Sequence, residues 1–269
     1  MGLLTLALIL LAPHVHSASY SFRVYSQGTY WDFGTPKQIS QKDRSELSGY
    51  LKDRDEEFSE WNELSKLRLI ERQGYTKPFV VAERLLFMFD FISNLDPQLK
   101  PLFDPTIEKH RRGLSHKTGT WKDLQSLGNQ KYVFLKDPGA LTFSGALKGF
   151  ETAELGLSLE KMGFEDYTVN AGGGNLLTLQ NEIYFIQSLS GQMQTQGKTS
   201  LSHIKDPRDA FRPLKFRFSK IECVLQKTSD KDLLRLATLA DVLSTVTLFE
   251  DKIFIPNGCR LERIPIWHK

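Results

Sequence analysis

Apolar and polar positions alternate along Tyr20–Tyr25, which predicts a half-buried strand. Over Lys42–Trp61 the chain turns strongly charged, with Leu47, Leu51 and Phe58 at helical spacing, and an amphipathic helix is expected there. Phe79–Leu95 is richer in apolar residues and reads as a second helix, stopped by Asp96-Pro97. Lys131–Leu135 and Ala140–Ser144 are short apolar runs either side of an Asp137-Pro138-Gly139 turn, the pattern of buried strands. A third helix should begin after Gly145 and end at Met162-Gly163, with Gly163 suited to the left-handed position just past a helix. Asp166–Asn170, Leu176–Leu179, Ile183–Gln187 and Lys215–Gln226 are strand-like. Asp230–Phe249 has the period of a long helix, with Asp230 as its candidate N-cap, and short strands around Ile253 and Leu261 complete the chain. Strands fall in antiparallel-looking groups separated by helices, so the class is α+β rather than a regular alternation of strand and helix.

The extreme N-terminus changes this picture. The first 22 residues contain no Lys, Arg, Asp or Glu, and Leu3–Ala12 is apolar apart from Thr5. Such a run falls short of the roughly 20 residues needed to span a bilayer. Followed by Pro13 and the small residues Ser17-Ala18, it reads as a signal peptide over residues 1–17, exporting the rest of the chain, with the periplasm as the expected destination. Residues 18–269 would then form a single domain with no transmembrane span. Basic and acidic residues nearly balance, 35 against 32, so no nucleic-acid surface is expected. Cys223 and Cys259 are the only cysteines, and pairing or two free thiols are both open.

Candidate chemistry concentrates in Leu141–Asn175, which reads as apolar strand, glycine turn, helix, strand and glycine triplet. A glycine turn opening into a helix presents unpaired N–H groups and the positive end of the helix dipole, where a phosphate can sit. Lys148 would add a charge there, and Gly172, Gly173 and Gly174 would let a second stretch of backbone approach a ligand closely. Taken singly, these features are also those of an ordinary tight turn and loop. Asp241 and Thr245 are one helical turn apart, so they share a face and offer a carboxylate and a hydroxyl to a hard cation such as Mg²⁺. A solvated Asp beside a Thr bonded back to its own helix has the same spacing. His203 is a candidate proton carrier and Arg208 a phosphate partner, or both are plain loop residues. Trp61 would cover a planar ring or join the core, and Asp104 should cap the turn before Pro105.

Taken in order, these segments resemble the flavin transferase (ApbE) family. Leu141-Thr142-Phe143-Ser144-Gly145-Ala146-Leu147-Lys148-Gly149-Phe150 is similar to the family's LDLGGIAKGY, and Val169-Asn170-Ala171-Gly172-Gly173 to its VNAGG. Phe103-Asp104-Pro105-Thr106-Ile107 resembles FDPTV, Ser202-His203-Ile204-Lys205-Asp206-Pro207-Arg208 resembles SHILDPR, and Ala240-Asp241-Val242-Leu243-Ser244-Thr245-Val246 resembles ADALATA. A looser likeness joins Phe58–Lys66 to the family's STY…SEISR element. The resemblance implies a T-fold-like architecture and Mg²⁺-dependent transfer of FMN from FAD to a Thr hydroxyl of a partner flavoprotein, with release of AMP. It also implies a cation held by Asp241, Thr245 and the Leu147 carbonyl. Trp61, Gly145, Lys148, Gly172, Gly173, His203 and Arg208 would bind the flavin nucleotide, with His203 as the catalytic residue.

The chain departs from the family at several points. Thr142 stands where LDLGG has its Asp, Ser144 replaces that motif's first Gly, and Gly174 replaces the Asp that ends AGGD. The family's MGT is Gln27-Gly28-Thr29 here, and only Leu189-Ser190-Gly191 resembles its TSGD element. These changes keep two alternatives in view: a catalytically degenerate module that binds flavin, nucleotide or protein, and a pyrophosphatase that hydrolyses FAD.

Overall fold

The structure is a computed structural model and describes residues 19–73, 75–107, 121–191 and 214–265. In chain order these form β1 (Tyr20–Ser26), β2 (Thr29–Thr35), α1 (Gln41–Phe58), α2 (Lys66–Gln73), β3 (Phe79–Val80) and α3 (Glu83–Ser93). There follow β4 (Leu124–Gly128), β5 (Lys131–Phe134), α4 (Leu147–Lys161), β6 (Tyr167–Ala171), β7 (Asn175–Gln180) and β8 (Ile183–Gly191), then β9 (Phe216–Gln226), α5 (Asp230–Val246) and β10 (Cys259–Pro265). Seven strands build one antiparallel sheet in the order β1-β2-β6-β7-β8-β9-β10, and a small second sheet has the order β3-β5-β4. The α+β class read from the sequence is the class observed.

Period-2 patterning sets which face of the large sheet is covered. On β6 the side chains of Tyr167, Val169 and Ala171 are buried, and on β9 those of Ser219, Ile221 and Cys223. Helices α4 and α5 lie against the sheet and against each other. Gly149 is what permits the α4–α5 approach: a Cβ at that position would stand 2.2 Å from the Ala237 carbonyl oxygen. One core runs from Trp31 and Phe33 on β2 through Phe89, Phe143 and Phe150 to Leu243 and Phe249.

Several expectations need correction. Ala140–Ser144 is no strand although Leu141–Phe143 is buried, because its backbone bonds go elsewhere: Thr142 N–H donates to the Pro105 carbonyl at 2.8 Å and Leu141 N–H to the Glu71 carboxylate. The segment expected to be helical from Phe79 opens with the two residues of β3, and the helix begins at Glu83. Ser229, not Asp230, caps α5, its hydroxyl accepting the Asp232 N–H at 3.2 Å. No strand forms at Ile253. The pattern gave no warning of β2, α2 or β4.

Cys223 and Cys259 stand directly opposite each other on β9 and β10 and are joined as a disulfide, which closes the question the sequence left open. The bridge closes a sequence separation of 36 residues. Its loss should lower stability by about 2–4 kcal/mol through the added freedom of the unfolded chain. Thermal melts with and without reductant, repeated on Cys259→Ser, measure this. Identical melting temperatures would mean that β10 is held by its ladder alone.

Candidate functional site

The turn that leads into α4 is held by three hydrogen bonds, one of them to a side chain from another part of the chain. The Thr142 hydroxyl donates to the Glu60 carboxylate, Ser144 N–H returns to Thr142 Oγ1 at 3.0 Å, and Leu147 N–H closes on the Phe143 carbonyl at 2.9 Å. Gly145 sits in the middle at φ +91°, a conformation that disfavours any residue with a Cβ. A Cβ on it would also meet Thr245 Oγ1 at 2.8 Å, so the α5 hydroxyl faces the turn.

Asp241, one turn earlier on α5, points to the same place. Its Oδ2 accepts the Gly149 N–H at 3.0 Å and its Oδ1 the Ser188 hydroxyl at 3.0 Å, with a further hydrogen bond from the Asn175 amide. The carboxyl is buried, and burial raises its pKa against the pull of those donors and of the positive Lys148. The solvated Asp that the same spacing allows is not what forms: Asp241 is buried, a structural hub as well as a candidate ligand.

Hydroxyls continue from this carboxylate. Ser188 Oγ lies 3.1 Å from Ser244 Oγ, which lies 2.9 Å from Ser190 Oγ, which lies 3.2 Å from Thr245 Oγ1. The β6–β7 turn brings in Asn175, which is paired with Ser188 across β7 and β8. Gly172 and Gly173 in that turn have φ of +59° and +73°. The space above Gly172, expected to admit a ligand, is occupied by Thr29, whose Oγ1 would be 2.1 Å from a Cβ there. Gly173 is exposed and keeps its freedom of approach. Across from this turn, Gln27 of the β1–β2 turn donates from Nε2 to Glu151 Oε1 of α4 at 2.8 Å.

Gly145, Leu147, Lys148, Asp241 and Thr245 thus fall in one neighbourhood, to which the turn of Gly172 and Gly173 is tied through Asn175. Lys148 itself is exposed. Trp61 is no core aromatic: it is 78% exposed in the loop after α1, next to the Glu60 that binds Thr142. Asp104 caps its turn as expected, Oδ1 accepting both Thr106 N–H at 2.8 Å and Thr106 O–H at 2.6 Å. His203 and Arg208 lie outside the described residues. Asn175, Ser188 and Glu151 were not singled out from sequence, and Gln27, Ser190 and Ser244 stood there only within motif-like segments, without a role of their own. The available signal was on β8, where the buried positions change from Tyr184 and Ile186 to Ser188.

Among the described residues no three or more His, Cys, Asp or Glu side chains converge as a metal cluster. The donors near Gly145 fit a hard cation in another way. All are oxygens, and the one carboxylate is buried with only neutral hydrogen-bond donors, a setting in which an added cation offsets part of the desolvation cost.

A sequence profile of the ApbE family matches residues 19–183, more than half of the chain. No curated protein matches at a significant level. Among solved structures, the chain is similar to a flavin transferase ApbE from Vibrio cholerae, at 15% identity and TM-score 0.68, covering 91% of this chain and 96% of that one. It is also similar to the apo form of a Pseudomonas stutzeri flavinyl transferase ApbE, at 15% identity and TM-score 0.67, covering 84% of each chain. The ApbE protein of Thermotoga maritima gives 17% identity and TM-score 0.66, over 84% of this chain and 85% of that one. At these identities the structural likeness establishes the fold.

Proposed function

Because the chain belongs to the ApbE family, we propose that it is an FAD:protein FMN transferase, moving FMN from FAD to a Thr hydroxyl of an acceptor flavoprotein and releasing AMP. The observation that carries this reading is the meeting of the Gly145 turn, the first turn of α4 and the Asp241/Thr245 face of α5. The backbone around Gly145 and the charge of Lys148 would bind and orient the pyrophosphate. The acceptor oxygen attacks the FMN phosphorus, the bond to the AMP phosphate breaks, and the acceptor proton passes to a base, for which His203 is the candidate. Mg²⁺ would be held by Asp241, Thr245 and the Leu147 carbonyl, and when bound it neutralises charge on the phosphates. Gly173, Trp61 and Arg208 are proposed to bind the rest of the nucleotide, Gly172 being covered by Thr29.

The acidic residue missing at Thr142 is offset locally, since Glu60 brings a carboxylate to that hydroxyl from another element. This supports retained activity over a degenerate binding module. Export is part of the proposal, and a Cys223–Cys259 disulfide suits an oxidising compartment such as the periplasm.

Purified protein incubated with FAD, Mg²⁺ and an acceptor carrying a target Thr should release AMP and leave covalent flavin on the acceptor in equal amounts. EDTA should stop both. AMP and free FMN without covalent flavin would mean hydrolysis of FAD. Bound FAD with no AMP would mean a binding module.

A further inference from the structure

The hydroxyls between Asp241 and Thr245 form a chain with a direction. An ionised carboxylate only accepts, so the 3.0 Å contact to Asp241 Oδ1 uses the single proton of Ser188. Ser188 must therefore accept at its 3.1 Å contact with Ser244. The Ser244 proton is taken up there or by the Asp241 backbone carbonyl at 2.9 Å, so at its 2.9 Å contact with Ser190 it too accepts. Ser190 donates to Ser244 and is left to accept from Thr245 across 3.2 Å. Each contact carries one proton only if every bond runs the same way, from Thr245 through Ser190, Ser244 and Ser188 to Asp241.

We propose that Ser190 is a positioning residue that draws the Thr245 proton away from the Gly145 turn and so turns the Thr245 lone pairs toward a divalent cation. The inference rests on the proposed function, in which Asp241 and Thr245 hold that cation. Ser188 and Ser244 are fully buried, so the direction set at the carboxylate is insulated from water along the chain. Ser190 and Thr245, at its open end, are only partly buried, as the ligand end of such a relay has to be. Whether the Ser244 proton goes to Ser188 or to the Asp241 backbone carbonyl, the relay ends on Asp241 and leaves Ser190 to accept from Thr245.

Mn²⁺ binding to the purified full chain, followed by the electron paramagnetic resonance of free Mn²⁺, tests this without any turnover. Ser190→Thr and Ser190→Val have the same shape and differ in the hydroxyl alone. Ser190→Thr should bind Mn²⁺ as the unaltered protein does, and Ser190→Val about tenfold more weakly, the scale of loss when a group supporting a metal ligand is removed. Their melting temperatures in EDTA should agree. Equal Mn²⁺ affinity in the two variants, whether high or low, overturns the relay while leaving the proposed function standing. An unaltered protein that binds no Mn²⁺ overturns both the relay and the cation in that proposal.

Discussion

Asp241→Ala is expected to reduce flavin transfer roughly 1,000-fold, the scale of losing a principal electrostatic contact to a reacting phosphate. It is also expected to weaken the fold, which a carboxylate in open solvent would not do. Gly149 N–H, Ser188 O–H and the Asn175 amide would all lose their acceptor in a buried place. Even with some relaxation this should cost about 2–4 kcal/mol. Asp241→Asn separates the two effects. Its amide oxygen can still accept from Gly149, and its NH₂ can donate to Ser188, whose hydroxyl then turns round. Asn should therefore hold stability to within about 1 kcal/mol, while losing the negative charge and reversing the hydroxyl chain. Urea denaturation and AMP release, measured on both variants, give the answer. An Asn variant as active as the unaltered protein would remove Asp241 from the chemistry.

Some of this was legible in the residues and some was not, for reasons that differ by element. Helices α1, α4 and α5 carry long periodic patterns, and Gly163 ends α4 at φ +83° as its position suggested. The Asp241/Thr245 spacing implies a shared helix face, while the Gly145 turn that Thr245 meets came from the family resemblance and not from the spacing. Spacing says nothing of depth, however. The burial of Asp241 arises because Gly149 lets α4 come close to α5, and that depends on a partner 92 residues away in sequence. Leu141–Phe143 looked like a strand because it is buried on every side, yet its backbone bonds to Glu71 and Pro105 instead of to a ladder. Serines are common on surfaces and carry no period, so Ser188 was silent, and Ser190 and Ser244 had no role assigned, until β8 and α5 were packed together. Thr29 filling the space over Gly172 was invisible for a related reason: β2 itself had not been read.

Glu151 carries the other large effect, through pH. Nothing in the residue pattern marks it, but in the fold it is completely buried on α4, and its Oε2 has no hydrogen-bond partner. Burial pushes its carboxyl up to about 8, against the Gln27 hydrogen bond and the Arg54 charge, with Glu154 adding to the rise. In the unfolded chain a Glu titrates near 4.5. Below that value both states are protonated, and the group contributes nothing that varies with pH. Between about 4.5 and 8 the folded protein holds a proton that the unfolded chain has released. Stability then falls as pH rises, by about 1.4 kcal/mol per unit, on the order of 5 kcal/mol over the whole window. Above pH 8 the loss is complete and the curve levels. Glu151→Gln keeps an acceptor for Gln27 and cannot ionise, so it should remove this slope. The advantage of the variant should be small near pH 5, grow by roughly 3 kcal/mol between pH 6 and 8, and change little beyond. Urea unfolding of both proteins across that range measures the difference directly. Curves that stay parallel from pH 5 to 9 would mean that Glu151 is already ionised in the fold and that the Arg54 charge outweighs its burial.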